Sequence, residues 1–344
     1  MRFRGKWIGA VAVACLVVAG VARAGEARKV TVAAPGAALH FYPFYVADKG
    51  GFFTKEGLAI DWVNVGGGSR EIAAVAGGSA DMAVVGMQPA ISAREHGADL
   101  VAIGKLFDTY AMELVLSNAA LSKTGIKPDM PIDEKVKRLK GVTIGVTGIG
   151  STTDVILRSW LMKRGLNPQG RVAIQPLGNP AAMFAAFQHG IIDGFVLGAP
   201  WPEEAEARHL GKVVIDVVKG EVPELRGVPY TAVIMRGAYV KAHPDIAKSV
   251  DRALADAMKF TKEHPDKAQA LLKAYFPKTD EAVYKTFEPA YRASAAETPV
   301  ISKDDYTRLL KWVAITSDKP ITVSYDDFVV DRYAKEAAAE VLGK

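Results

Sequence analysis

Short runs rich in Val, Ile and Ala alternate along the chain with stretches whose apolar residues recur every three or four positions. "KVTVAA" (29–34), "AIDWVNV" (59–65) and "DMAVVG" (81–86) read as strands. Helical spacing begins near Pro43, and "SREIAAVAGG" (69–78) reads as a short helix closed by Gly77-Gly78, residues suited to a helix C-cap. "GFFTKEG" (51–57) looks like a turn. Further on, "GVTIGV" (141–146), "VAIQPL" (172–177) and "DGFVLG" (193–198) read as strands. Between them lie helices over 151–165, with Ser151 as N-cap and Asp154 in the capping-box place, and over 180–190, with Pro180 in its first turn. Strands separated by helical crossovers predict parallel pairing in an α/β fold.

The second series repeats the first. An offset of 112 carries Gly78, Asp81 and Gly86 onto Gly190, Asp193 and Gly198. The same shift lays "VTVAAPG" (30–36) on "VTIGVTG" (142–148), and "VGGGSREIAAVAGGSAD" (65–81) on "LGNPAAMFAAFQHGIID" (177–193). Matched blocks at one constant offset predict two similar Rossmann-like lobes, and the period is far longer than the ~20–50 residues of a solenoid unit. "YAMELVLSNAAL" (110–121) and "PYTAVIMRGAYV" (229–240) lie outside the repeat and read as two strands crossing between lobes. Amphipathic helices follow, two of them entered through "HPD" at 243–245 and 264–266, and are expected to return to the first lobe. The expected division is residues 28–115 with 232–344 in one lobe and 116–231 in the other.

Residues 1–24 show the pattern of a secretory signal peptide: Arg2, Arg4 and Lys6, an apolar run from Trp7 to Val21, then Ala22-Arg23-Ala24. The run is shorter than the ~20 residues a spanning helix needs. Removing the segment takes the formal net charge from +5 to +1 and removes Cys15, the only cysteine. A lipid anchor at Cys15 is disfavoured by the small Ala12 three residues before it. No basic stripe points to nucleic acid, and "KVKRLKG" (135–141) reads as a solvated helix end. The expected setting is the periplasm.

Ligands of open parallel sheets bind beyond the carboxyl ends of the strands. Those positions are the loops at 34–44, 66–70 and 86–89 in the first half, and at 147–154, 178–182 and 198–204 in the second. "GGGS" and "GIGSTT" run straight into helices, whose first amides carry partial positive charge, and Gly68 and Gly150 let the main chain approach a guest. Ser69, Ser151, Thr152 and Thr153 add hydroxyl donors. His40, Phe41, Tyr42, Met87 and Trp201 suggest an organic body on the ligand, with Gln88 as a neutral polar partner. Arg70 is a weaker candidate for an anion. Glu203 and Glu204 read as solvated acids. The histidines at 40, 96, 189, 209, 243 and 264 form no pair, and no H-E-x-x-H, G-x-S-x-G or G-x-x-x-x-G-K-[ST] occurs. No metal, cofactor or catalytic role is expected.

"FYPFYVADKGGFFTKEGLAIDWVNVGGGSREIAAVAGGSADMAVVG", "LKGVTIGVTGIGSTTDVILRSWL" and "AAFQHGIIDGFVLGAPWPEEAEARHLG" resemble the substrate-binding proteins of nitrate, sulfonate and taurine ABC importers. The resemblance covers roughly 30–235. It implies a type II periplasmic binding protein, monomeric, closing by hinge motion on a small organic anion, a sulfonate or a carboxylate that could be aromatic. Delivery would be to an inner-membrane permease. It implies a site made of His40 to Tyr42, Gly68-Ser69, Gln88, Ser151 to Thr153 and Trp201. The wider family also includes binders of nitrate and of pyrimidine precursors. Its cytosolic enzymes carry a Cys-rich motif absent from this chain. An exported enzyme using His40, or a receptor-linked sensor using the same cleft, are the alternatives.

Overall fold

The structure, a computed structural model, describes residues 27–317 and 319–344; the expected signal segment and Cys15 lie outside them. Among the described residues, ten strands form two five-stranded sheets. The first sheet has the order β2-β1-β3-β10-β4, from β1 (Arg28–Ala34), β2 (Leu58–Asn64), β3 (Met82–Gly86), β4 (Leu100–Lys105) and β10 (Thr231–Arg236). The second has the order β7-β6-β8-β5-β9, from β5 (Glu113–Ser117), β6 (Thr143–Val146), β7 (Ala173–Pro176), β8 (Gly194–Leu197) and β9 (Gly211–Asp216). The two orders are the same pattern written twice.

In each sheet the three strands read from the repeat are parallel: β1 pairs with β2 and β3, and β6 with β7 and β8. The sheets as wholes are mixed. β10 inserts antiparallel between β3 and β4, and β5 inserts antiparallel between β8 and β9. Each lobe thus borrows one strand from across the chain, since β10 follows the second half and β5 follows the first. The crossing expected over 110–121 is β5 followed by a helix over Asn118–Thr124, so the second lobe already includes Glu113. The crossing expected over 229–240 is β10 followed by a helix over Gly237–Ala242.

The offset persists in three dimensions. The helix Gly68–Ala76 maps residue for residue onto Pro180–Gln188. The repeated aspartates have one structural task. Asp81 Oδ2 accepts from Thr31 N at 2.8 Å, and Asp193 Oδ2 accepts from Thr143 N at 2.8 Å. In each lobe this ties the approach to the third strand to the start of the first. The repeated aspartate of the motif is therefore a clamp within the sheet, while the motif's last glycine, Gly86 or Gly198, lies at the strand's carboxyl end.

The connecting segments 106–112 and 217–230 run together, with Tyr230 N bonded to Phe107 O at 3.0 Å and Val217 N to Met112 O at 3.1 Å. The C-terminal helices pack mainly on the first lobe. Pro244–Glu263 buries Ile246, Val250, Leu254 and Ala257 against the helix Tyr42–Lys49 and its neighbours. Pro244 and Pro265 stand in the first turns of their helices, as the two "HPD" runs predict. The tail also reaches the second lobe: Ala199 N donates to the Tyr291 hydroxyl at 2.6 Å. The basic run at 135–141 is not wholly solvated, because Lys135 is buried and bonds Glu221 at 2.9 Å.

Asp193→Ala should cost about 1.5–3 kcal/mol, the worth of a charge-assisted hydrogen bond in a partly buried place. The check is a lower denaturant midpoint at unchanged slope. The same substitution at Asp81 should act alike.

Candidate functional site

The carboxyl ends of the parallel strands in both lobes face one narrow cleft. Its walls are Ala38, His40, Phe41, Gly68, Glu71 and Gly86 from the first lobe, and Thr147, Thr152, Thr153, Gly198 and Trp201 from the second, with Tyr230 at the crossing. The lobes touch. A side chain on Gly67 would place its Cβ 2.5 Å from the Thr147 carbonyl oxygen, and one on Gly86 would collide with Thr152 Oγ1. Leu39 N donates to Ala199 O across the gap at 3.3 Å. The space left in the cleft is about 40 Å³, room for roughly three water-sized probes. Pro35, Pro180 and Trp201 also line a wider vestibule of about 510 Å³ between the lobes, which continues outward to Gln188 and Lys278.

The second lobe supplies donors. The helix Thr152–Met162 begins without a side-chain cap. Ser151 does not close a capping box as its position predicts. Its hydroxyl joins Thr147 Oγ1 at 3.0 Å and Thr153 Oγ1 at 2.9 Å, and Thr153 Oγ1 accepts from Thr147 N at 2.9 Å. Asp154 turns to Gly150 N at 2.9 Å and to Arg158 at 2.7 Å. This network holds the loop while the first helical amides keep no intrahelical acceptor. Trp201, its ring tilted at 45° to Phe184 with centroids 5.3 Å apart, presents an enclosed Nε1 with no partner among the described residues.

The first lobe supplies a different wall. The His40 ring is buried against Phe41 at 4.2 Å and Tyr230 at 5.2 Å, and its Nδ1 has no partner. Burial pushes its pKa down to about 3, so the imidazole is neutral. Glu71, 1 % exposed, has an enclosed Oε2 with no partner, and burial raises its carboxyl well above the usual range. Its charge adds to the burial that raises the Tyr230 hydroxyl. No Lys or Arg is among the cleft residues.

Of the residues singled out from sequence, His40, Phe41, Gly68, Thr152, Thr153 and Trp201 line the cleft. Ser69 stands at the lobe contact, its Oγ 2.9 Å from where a Cβ on Gly148 would lie. Ser151 sits behind the wall as a brace. Gly150, at φ +74°, makes the turn into the helix. Met87 and Gln88 are buried in the helix that follows β3 and do not line the cleft; Gln88 Oε1 has no partner. Tyr42 points elsewhere: its hydroxyl donates to Glu288 at 2.9 Å, and it borders a separate hollow of about 760 Å³ beside the chain's end. Arg70 is exposed and lies along Gly66.

Sequence reasoning missed Glu71, Thr147 and Tyr230. The signal for Glu71 is its place at helical spacing with Gly68, Ile72 and Val75, which makes it part of the buried stripe of that helix. Glu203 and Glu204 are not the solvated pair expected. Glu204 is buried and pairs with Arg208 at 2.7 Å. Glu203 has an enclosed, unpartnered Oε2 and belongs to a group of acids with Glu113 and Asp216 at the base of the second lobe. Tyr291 donates to Glu113 at 3.2 Å, and Lys219 pairs with Asp216 at 2.9 Å.

Two α/β lobes with matching strand-end loops around a shared cleft define the periplasmic-binding-protein fold. Solved structures agree. A Bordetella bronchiseptica RB50 protein aligns with TM-score 0.80 at 25 % identity, covering 92 % of this chain and 98 % of that one. The aliphatic sulphonate binding protein SsuA of Escherichia coli aligns with TM-score 0.63 at 19 % identity, over 86 % of this chain and 90 % of that one. The nitrate-binding protein NrtA of Synechocystis PCC 6803 aligns with TM-score 0.66 at 17 %, over 91 % of this chain and 89 % of that one. The chain belongs to the NMT1-like family, whose pattern matches residues 23–276. Among curated relatives, a putative aliphatic sulfonates-binding protein of Bacillus subtilis is 26 % identical, over 87 % of this chain and 85 % of its own length. The taurine-binding periplasmic protein of Escherichia coli is 29 % identical, over 72 % of this chain and 70 % of its own length.

The acidic group beside the hinge sets a pH dependence. Burial, with Asp216 adding repulsion, pushes Glu203 up to about 7 from an ordinary 4.5. The folded chain then keeps a proton that the unfolded chain releases above 4.5. Stability from this group is full below about pH 4.5 and is lost as pH rises through about 7. Denaturant midpoints measured from pH 4.5 to 8 should fall, and Glu203→Gln should flatten the slope, leaving the part due to the other buried acids, Glu113, Glu71 and Asp251.

Proposed function

We propose that this protein is the extracytoplasmic binding component of an ABC importer and captures a small organic anion, a short sulfonate or carboxylate, between its lobes. The observation that carries this reading is the enclosed cleft walled on one side by uncapped helix amides and by the Thr152 and Trp201 donors. Such donors hold an oxyanion without a cationic side chain. The names of the sulfonate- and taurine-binding relatives support it. The small enclosed volume favours a short acid over an aromatic one in the closed form. The partner is a membrane permease, the setting is the periplasm, and the protein acts as a monomer.

Catalysis by His40 is the weaker reading. A base whose pKa is pushed to about 3 takes up a proton poorly at neutral pH. No second acid or nucleophile is hydrogen-bonded to its Nδ1.

A thermal-shift screen of the secreted chain against short sulfonates, short carboxylates, aromatic acids, nitrate and pyrimidines tests the proposal. A true ligand at a hundredfold excess over Kd stabilises by ~2.7 kcal/mol. A short acid should produce the shift, and no product should form. Gly67→Ala should weaken that ligand by at least about tenfold, because the added methyl meets the Thr147 carbonyl only when the lobes are closed. Stabilisation solely by compounds without an acid group would contradict the anion reading.

A further inference from the structure

We infer that Tyr291 is a positioning residue for ligand capture: its hydroxyl is a removable rung at the hinge, inserted when the lobes close and withdrawn when they part. This rests on the function proposed above and deepens it. At this point the two lobes depart from their shared pattern. The offset of 112 puts Ala199 in the place of Met87, and the strand registers put Ala111 in the place of Tyr230. In the first lobe the pair closes directly, with Met87 N donating to Tyr230 O at 3.0 Å. In the second lobe a side chain stands between the two groups. Ala199 N donates to the Tyr291 hydroxyl at 2.6 Å, and that hydroxyl reaches Ala111 O at 3.3 Å and Glu113 Oε2 at 3.2 Å. Gly198 leaves room for it, since a Cβ there would lie 2.8 Å from the hydroxyl.

Tyr291 comes from outside the second lobe. Its helix, Glu281–Ser294, is tied to the first lobe by the bond from Tyr42 to Glu288 at 2.9 Å. It is tied to the crossing segment by Ala296 N to Leu106 O at 2.8 Å and by Asp108 N to Ser294 O at 3.1 Å. Ala199 is therefore gripped twice from outside its own lobe, its N–H by Tyr291 and its C=O by Leu39 N at 3.3 Å. Two residues further on, Trp201 lines the cleft. The grip fixes the loop that carries this wall. Ala199 N and Ala111 O have a second satisfied arrangement, the direct bond that Met87 and Tyr230 make. Withdrawing the hydroxyl then leaves neither main-chain group of the rung unpaired. A hinge with two satisfied arrangements is swung by a guest that binds only one of them.

The test compares Tyr291→Phe with Tyr284→Phe, which removes a hydroxyl from the same helix where it donates to Gln269 O at 3.2 Å, away from the hinge. Both are made in the chain expressed without residues 1–24, with ethanesulfonate and propanoate as probes. A probe that binds the parent should leave Tyr291→Phe about tenfold faster, the worth of one buried hydrogen bond, and should associate within about threefold of the parent rate. Tyr284→Phe should keep both rates within about threefold. Spin labels on cysteines replacing Gln188 and Lys278 give a readout that needs no ligand. Label distances in the ligand-free chain should lengthen in Tyr291→Phe and stay unchanged in Tyr284→Phe. An unchanged dissociation rate in Tyr291→Phe, or an equal effect of the two substitutions, would overturn the inference and leave the anion-binding reading standing. Binding of neither probe would count against that reading, and the label distances then decide the inference: lengthening in Tyr291→Phe alone supports it, and no change overturns it.

Discussion

The closed arrangement depends on bare glycine main chain of one lobe meeting the other lobe across the cleft. Gly67 comes against the Thr147 carbonyl and Gly86 against Thr152, at distances that leave no room for a Cβ. Glycine at these two places lets the start of the helix Gly68–Ala76 and the loop before Thr152–Met162 approach until little more than the cleft lies between them. Everything chemical at the site follows from that approach. It sets the donors of one lobe opposite the acceptor of the other around about 40 Å³ of remaining space.

Burial gives the unpartnered atoms their meaning. Trp201 Nε1, His40 Nδ1 and Glu71 Oε2 are each enclosed and unsatisfied. A folded protein carries few such groups, since each costs about 1–3 kcal/mol. These three belong to residues that line one small cleft, where an occupant can supply partners. The flanking hydroxyls of Thr147, Ser151 and Thr153 satisfy one another and fix the loop geometry. The site is therefore preorganised on the second lobe, and closure brings up the first.

Much of the architecture could be read from the chain because it is written twice. Six parallel strands, the equivalent helices Gly68–Ala76 and Pro180–Gln188, and the paired Asp81 and Asp193 all follow from one offset. β4 and β9, and the antiparallel insertion of β5 and β10, could not be read the same way. Their partners lie far off in sequence, and a short buried run such as Leu100–Lys105 carries no period of its own. At the site, loops at strand ends were legible and side-chain direction was not. Phe41 faces the cleft while Tyr42 turns to Glu288, because adjacent residues entering a helix point about 100° apart. Glu71 was hidden for the opposite reason: one turn past the glycines, a charged residue reads as helix surface until the buried stripe beneath it is counted. Glu203 was misread likewise, since Pro200 and Trp201 suggest an exposed helix start.

The account stands on closure of two lobes around a guest. Cysteines placed at the exposed Gln188 and Lys278, on opposite sides of the vestibule, would carry spin labels on a chain expressed without residues 1–24, which has no other thiol. Distances between the labels, measured with and without saturating ligand, test the claim directly. The account predicts a broad, longer distribution without ligand that collapses to a single shorter one with it. A distribution unchanged by a ligand that demonstrably binds would contradict it.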